Sequence, residues 1–161
     1  MLKKRFERKN PQEKQPSEYQ HKVVEVRRVT RVVAGGKRMK FRVCVVIGNK
    51  NGKVGTGTAK GLDVPTAVAK AIALAKKNLI NVYIVNGTIP HRIHNKFKAA
   101  KLLLKPAPAG RGIIAGGSVR SVLELAGIKN VVGKILGSNN KENNIKSAML
   151  ALQKLKVRTT Q

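Results

Sequence analysis

The chain has 161 residues, of which 34 are Lys or Arg and 7 are Asp or Glu, so its formal net charge is +27. Self-repulsion at this level opposes a compact free monomer and indicates a polyanionic partner, for which nucleic acid, with about one charge per 1.7 Å of duplex, is the best candidate. One cysteine excludes an internal disulfide, and the absence of an apolar run of about 18 residues excludes a transmembrane helix.

Residues 1–20 combine cationic side chains with Pro, Gln and Glu, and they predict a flexible basic arm. Residues 21–33 predict a strand, and the change of valine phase after Val26 favours a β-bulge at Arg27-Arg28. Two glycines between Arg-rich arms, Gly35 and Gly36, then turn the chain. We interpret this turn as a basic loop that enters an RNA groove or junction. The alternative is an ordinary hairpin turn with solvated flanks.

Residues 40–79 predict a strand, a tight turn, a second strand and a helix. The first strand alternates apolar and polar residues, so we expect one buried face and one accessible face. Asn51-Gly52 provides the positive φ of a two-residue turn. In the return strand, Gly55 and Gly57 allow close approach of another backbone. That feature suits RNA, or alternatively a twist in a small sheet, and the sequence leaves both interpretations open.

The predicted helix begins at Asp63, with Pro65 in its first turn. We expect its buried stripe at helical spacing to be Val68, Ile72, Ala75 and Leu79. Further along, we predict strands at residues 80–86, 99–105 and 131–136, a helix at residues 118–126 that ends at Gly127, and a last helix capped by Asn143 or Asn144. Lys96, Lys98, Lys101 and Lys105 continue the positive charge around the middle strand.

No pattern in the sequence predicts an enzyme, a metal site or a cofactor. His91 and His94 have no Cys, Asp or Glu close in sequence to complete a zinc site. Gly110, Gly112 and Ala115 match a GxGxxA dinucleotide-binding pattern. However, prolines precede the motif in place of a clean strand, and no acid follows about 20 residues later to hold a ribose. The scattered acids and histidines form no catalytic constellation, so no small-molecule substrate is expected.

Several segments in a fixed order carry a resemblance to a known family. They are RVTRVVAGGKRMKF, VVIGNKNGKVGTGTAKGLDVPTAVAKA, KKNLINV, NGTIPH and GRGIIAGGSVRSVLELAGIKNVVGKILGS. These segments resemble ribosomal protein S5 of the bacterial-type small subunit, and the resemblance extends over residues 23–155. It implies an α+β fold. Residues 21–86 would form a lobe like a double-stranded-RNA-binding domain, with three strands packed on a helix, and residues 87–161 a second lobe that contains a βαβ unit.

The resemblance also implies a function. The family is a structural constituent of the small ribosomal subunit, binds ribosomal RNA near the junction of head and body, neighbours proteins S4 and S8, and supports translational accuracy. Residues 28–40 would be the RNA-contacting loop linked to spectinomycin sensitivity. Gly112 and Arg120 match positions at the interface with S4. The expected location is the ribosome of a bacterial cytoplasm or a plastid stroma. A free-standing RNA-binding protein or RNA chaperone is the alternative.

The predicted RNA-binding residues combine the cations of the first lobe with the glycines of its turn and strands. They are Arg27, Arg28, Arg31, Gly35, Gly36, Lys37, Arg38, Lys40, Arg42, Lys53, Gly55, Gly57 and Lys60. The cations would contact phosphates, which fix the position of a protein on RNA without reading its sequence.

Overall fold

The computed structural model describes residues 18–156, so most of the predicted arm, residues 1–17, lies outside the described part. Within that part, eight strands and three helices form two four-stranded sheets, ordered β1-β2-β3-β4 and β5-β6-β8-β7, which confirms the α+β fold. The elements are β1 (Gln20–Val33), β2 (Gly36–Gly48), β3 (Lys53–Gly61), α1 (Val64–Lys77), β4 (Leu79–Asn81), β5 (Ile93–Phe97), β6 (Ala100–Pro106), β7 (Ile113–Ile114), α2 (Gly117–Ala126), β8 (Val131–Ile135) and α3 (Lys141–Gln153).

The first lobe is a meander of three long antiparallel strands, extended by the short β4 and packed on α1. The β1–β2 turn is tight, because Val33 pairs directly with Gly36, whose φ is +136°. The predicted bulge at Arg27-Arg28 is wrong. The register shifts between Val23 and Glu25 instead, where Val24 packs against the main core of the protein.

Both faces of β2 are buried over Val43 to Gly48, so the expectation of one accessible face is wrong for this half of the strand. Val43, Val45 and Ile47 pack against the alanines of α1. Cys44 and Val46 point to the opposite side and join a core that residues of the second lobe also build. The second lobe therefore covers the sheet face that alternation alone left free.

Helix α1 begins after Asp63, as predicted, but its buried stripe is Ala67, Ala71 and Ala75. Val68 and Ile72 flank this stripe and are only partly buried. The shift has a steric cause, because α1 lies against the glycines of β3. A Cβ atom built on Gly55 would lie 2.5 Å from the carbonyl oxygen of Ala75, and one on Gly61 would lie 2.7 Å from the backbone nitrogen of Ala67.

Strand β4 ends at Asn81 rather than continuing to residue 86, as predicted. The backbone leaves the sheet at Val82, whose N–H donates to the carbonyl of Gly52 at 2.7 Å. A short turn follows, in which Val85 and Thr88 exchange hydrogen bonds of 2.9 Å. Between them Asn86 and Gly87 have φ values of 49° and 75°, the left-handed conformation that Asn-Gly pairs adopt readily.

The second lobe contains the predicted βαβ unit, in which β7 runs parallel to β8 and α2 connects them. α2 ends at Gly127 as predicted, with φ 92° at the C-cap. The predicted cap of the last helix is displaced: the side chain of Asn140, rather than Asn143 or Asn144, accepts a hydrogen bond from the Glu142 N–H at 3.1 Å. Asn144 is buried and donates to the carbonyl of Ser138.

The two lobes share backbone contacts as well as a core. The β2–β3 loop is longer than the predicted two-residue turn and contains positive φ values at both Lys50 and Gly52. It lies against the end of α2, where Lys50 N–H donates to Leu125 at 3.0 Å and Gly52 N–H donates to Ala126 at 2.9 Å. The division of the chain between residues 86 and 87 stays a prediction.

Candidate nucleic-acid interface

A two-stranded ribbon projects from the first lobe. Pairing between β2 and β3 ends at Phe41 and Gly61, whereas pairing between β1 and β2 continues to Val33 and Gly36. Residues 29–40, which we call the hairpin ribbon, therefore have no third strand beside them. Most of their side chains are exposed. The ribbon presents two strand faces and a glycine-containing tip to any partner.

The strand register collects the predicted cations on one face. Arg27 pairs with Arg42, which pairs with Lys60, and further along the ribbon Arg31 pairs with Arg38. Residues directly opposite each other in an antiparallel pair share a face, and alternate residues of a strand do too. The face opposite α1 therefore carries a cationic band, consisting of Arg27, Arg31, Arg38, Lys40, Arg42 and Lys60.

Two further cations, one of them just before the ribbon, occupy the other face. Arg28 is opposite Phe41, and Lys37 is opposite Val32. Both side chains are exposed at the edge of the α1 side. Residues 27–42 thus present positive charge on both faces of the hairpin, with more of it on the face away from the helix.

Two members of the cationic band are already paired. Arg27 forms a salt bridge with Glu25 at 2.9 Å, and Arg42 forms one with Glu142 at the start of α3. Within residues 18–156, six cations on or beside the ribbon have no acidic partner within 4.0 Å, namely Arg28, Arg31, Lys37, Arg38, Lys40 and Lys60. A group of cations from the middle of the sheet to the tip of the ribbon is therefore available to an external anion.

An open groove of about 960 Å³ runs along the hairpin ribbon and mixes cationic with apolar lining. Arg31, Arg38 and Lys60 contribute charge to it. Met39 and Leu62 are 50% and 71% exposed and contribute apolar surface. A nucleic-acid strand offers matching chemistry, because its phosphates are anionic and its sugars and bases have apolar faces.

Not all predicted RNA-binding residues belong to this surface. Gly55 and Gly57 are buried under α1, so the backbone that approaches them is that of the helix, and the prediction of RNA contact is wrong for both. Lys53 is exposed but lies at the far end of β3, about 23 Å from Lys60 at roughly 3.3 Å per residue. Gly35 and Gly36 do lie at the exposed ribbon tip.

Gly112 and Arg120 lie before and after β7, in different local environments. The Gly112 N–H donates to the side chain of Asn130 at 3.0 Å, and its φ of 72° favours glycine. Arg120 donates to Glu124 at 2.7 Å, and Lys22 from β1 contacts the same carboxylate at 3.0 Å. The hydrogen bond from Arg120 is the main reason why the pKa of Glu124 is lowered.

The few acids have a role that no local sequence pattern predicts. Glu25, Glu124 and Glu142 each form a salt bridge with a cation of the other lobe, to Lys141, Lys22 and Arg42 respectively. The available signal was their rarity, since residues 26–62 and 64–123 contain no acid at all. Three of the five acids in residues 18–156 therefore have partners across the boundary between the lobes.

The described residues hold no group of three or more His, Cys, Asp or Glu side chains placed to bind a metal ion. Cys44 is buried, and burial raises the pKa of its thiol. In residues 18–156 no helix has the length and apolar character needed to cross a bilayer.

Comparison with known proteins identifies the family. The N-terminal domain of ribosomal protein S5 matches residues 19–83, and its C-terminal domain matches residues 95–159. Small ribosomal subunit protein uS5 of Thermotoga maritima is 50% identical over 141 residues, which cover 88% of this chain and 79% of the relative. The uS5c proteins of Cyanidioschyzon merolae and Guillardia theta are 52% and 47% identical, over 86% and 94% of this chain and 92% and 90% of their own lengths. The chain belongs to the ribosomal protein S5 family.

Proposed function

We propose that this protein is a structural constituent of the small ribosomal subunit and that it binds small-subunit ribosomal RNA through the hairpin ribbon and the adjoining sheet face. The observation that carries the proposal is the set of six cations on or beside the ribbon that have no acidic partner within residues 18–156, whereas Glu25, Glu124 and Glu142 pair with cations across the two lobes. The relatives are named small ribosomal subunit proteins, and these names support the assignment of this protein to the small subunit.

The chemistry at the ribbon favours contact with the RNA backbone over reading of base sequence. Arginine and lysine side chains on a ribbon reach phosphates, and most contacts that position a protein on nucleic acid are of this kind. Double-stranded RNA is recognised mainly by its shape and through phosphates and 2′-hydroxyl groups. The apolar groove lining at Met39 and Leu62 can pack against sugars or unpaired bases.

The finer parts of the proposal rest on family resemblance. They place the protein near the junction of head and body, beside S4 and S8, where it supports translational accuracy. Gly112 and Arg120 would then face S4. The structure is compatible with that role for Arg120, because its side chain is 56% exposed while its guanidinium is held by Glu124.

Cosedimentation tests the proposal. The tagged protein is expressed in a host that assembles it, and ribosomes are separated on sucrose gradients after a moderate salt wash. We expect the unmodified chain to remain with small subunits and the variant Arg31→Gln/Arg38→Gln/Lys40→Gln to be depleted from them. The matched control, Lys70→Gln/Lys76→Gln/Lys77→Gln, removes the same charge from exposed positions of α1 and should be retained.

Absence of the unmodified chain from washed small subunits would reject the ribosomal assignment. A protein that binds RNA in solution but never cosediments would instead be a free-standing RNA-binding protein or chaperone.

A further inference from the structure

The second sheet has one open face. Helices α2 and α3 cover its other face, where Asn95, Leu102 and Leu104 are buried. The alternate residues of β5, β6 and β8 point away from the helices. These outward positions are rich in exposed lysine, and we call Lys96, Lys101, Lys105 and Lys134 the second-sheet lysines.

The register brings these side chains together. Lys96 pairs directly with Lys101. In the next row on the same face, Leu103 lies between His94 and Lys134, because it pairs with both. Like charges placed directly opposite each other across two strands destabilise a sheet. The protein therefore maintains an electrostatically unfavourable arrangement on this surface.

No acid of the described chain relieves the repulsion. Residues 64–123 contain no Asp or Glu, and neither does β8. Glu124 and Glu142 are the acids nearest in sequence, and both form salt bridges with other cations, Glu124 with Lys22 and Arg120 and Glu142 with Arg42 and Lys146. The second-sheet lysines make no salt bridge within residues 18–156. Their positive charge therefore has no counter-charge among the described residues.

We propose that the open face of the second sheet is a second RNA-contact surface, which binds the sugar–phosphate backbone independently of the hairpin ribbon. This inference rests on the proposed function and extends it to a different lobe. It assigns phosphate contacts to Lys96, Lys101, Lys105 and Lys134. The apolar side chains between them, Leu103 and Val132, would lie against sugars.

Residue types on this face favour RNA over a protein partner. The cores of protein–protein interfaces are enriched in aromatic residues, Met and Arg and depleted in Lys. The outward strand positions of β5, β6 and β8 have a different composition, with four lysines, His94, Leu103 and Val132 and with no Arg, Met, Phe, Tyr or Trp. Lysine is a flexible point charge that suits phosphates without fixed geometry.

Two RNA-binding surfaces on one chain would raise the affinity of the protein for an RNA that contacts both. Once the ribbon is bound, the second contact is intramolecular, and its effective concentration is high if the geometry allows both contacts together. The shared core and the salt bridges between the lobes connect the two surfaces through a continuous structure. Binding of an RNA that carries both target segments should therefore be tighter than binding of either segment alone.

The first test compares two triple variants with the same loss of charge. In Lys96→Gln/Lys101→Gln/Lys134→Gln we expect the slope of log affinity for small-subunit ribosomal RNA against log salt to fall by about 2–3. The control Lys70→Gln/Lys76→Gln/Lys77→Gln should change that slope by less than about 1. Equal slopes for the two variants would overturn the inference while leaving the ribbon proposal intact. No RNA binding by the unmodified chain would overturn both.

The second test places a cleavage reagent on the surface. An iron chelate attached to Lys101→Cys should cleave ribosomal RNA in reconstituted small subunits, because the native Cys44 is buried and does not compete for the reagent. A Lys70→Cys chelate on α1 is the matched control and should cleave more weakly. If the chelate at position 101 cleaves no RNA, or cleaves the backbone of a protein neighbour in place of RNA, the inference fails.

Discussion

Single residues determine how closely the first helix approaches its sheet. Gly55, Gly57 and Gly61 in β3 lie against the backbone of α1, and the helix presents alanines to them. A Cβ atom on Gly57 would overlap the carbonyl oxygen of Ala71 and lie 2.7 Å from the backbone nitrogen of Ala75. Neither backbone atom can move aside as the end of a flexible side chain would. The contact therefore depends on the absence of side chains.

Substitution of Gly57 by Ala should be strongly destabilising. We expect a loss of at least about 1–3 kcal/mol in the free energy of unfolding, because overpacking forces the helix away from the strand. The matched control is Gly35→Ala at the ribbon tip, where no atom lies within 4 Å of the new methyl group. Urea unfolding followed by circular dichroism measures both. Equal midpoints for the two variants would refute this view of the contact.

The sequence predicts that another backbone approaches these glycines, but it does not identify that backbone as α1. Alanines are less apolar than Val68 and Ile72, so the sequence pattern points to the larger residues as the buried stripe of the helix. The sequence is equally unable to show which cations have an acidic partner. Arg31 and Arg42 look equivalent in sequence, yet Arg42 has an acidic partner 100 positions away, at Glu142. Which cations remain free for RNA is decided by such distant contacts, which no local pattern contains.

Among the elements, β2 shows what the alternation of apolar and polar residues can and cannot predict about burial. Alternation correctly assigns Val43, Val45 and Ile47 to the α1 side. It cannot show that Cys44 and Val46 are buried too, since α2 and other parts of the second lobe cover them. Predictions held for α2, whose span and terminal glycine are set by local sequence. They failed at the β1 bulge, which forms where Val24 meets the core.

The pairing of Lys96 with Lys101 in the second sheet leads to a prediction about the stability of the free protein. Lys101→Gln should raise the stability of the free protein by about 0.2–1 kcal/mol at low ionic strength, because it removes the like-charge pair with Lys96. The gain should shrink as salt screens the repulsion. Lys70→Gln, on the exposed side of α1, is the control and should show little change. Thermal unfolding at two salt concentrations measures the effect, and a destabilised Lys101→Gln protein would contradict it.

At the scale of the whole molecule, the charges fall into two groups. The chain has 7 acids against 34 Lys and Arg, and three of the acids bridge the lobes. Among the described cations without an acidic partner, two sets share a surface, one on and beside the hairpin ribbon and one on the open face of the second sheet. The lobes are held together by internal ion pairs and a common core, while the two proposed RNA-binding surfaces have no counter-charge among the described residues.

Stability should therefore fall in acid partly through Glu124. The hydrogen bond from Arg120 lowers its pKa below the ordinary 4.5, so its stabilising contribution is present above that pH and is lost as pH falls through the folded-state pKa. Glu124→Gln should reduce the pH dependence of unfolding in this window. Glu18→Gln is the control, at an exposed position outside the lobe boundary. Identical pH profiles for Glu124→Gln and the unmodified protein would contradict the assignment.

The dependence of RNA binding on salt is the most direct test of the central claim, that unpaired cations on and beside the hairpin ribbon neutralise phosphates of ribosomal RNA. With six or more such contacts, the affinity of the unmodified chain for small-subunit ribosomal RNA should fall on the order of 10³-fold or more between roughly 50 and 200 mM salt. The variant Arg31→Gln/Arg38→Gln/Lys40→Gln should have a log–log slope that is shallower by about 3. A flat plot for the unmodified chain, or an unchanged slope for the variant, would contradict the claim.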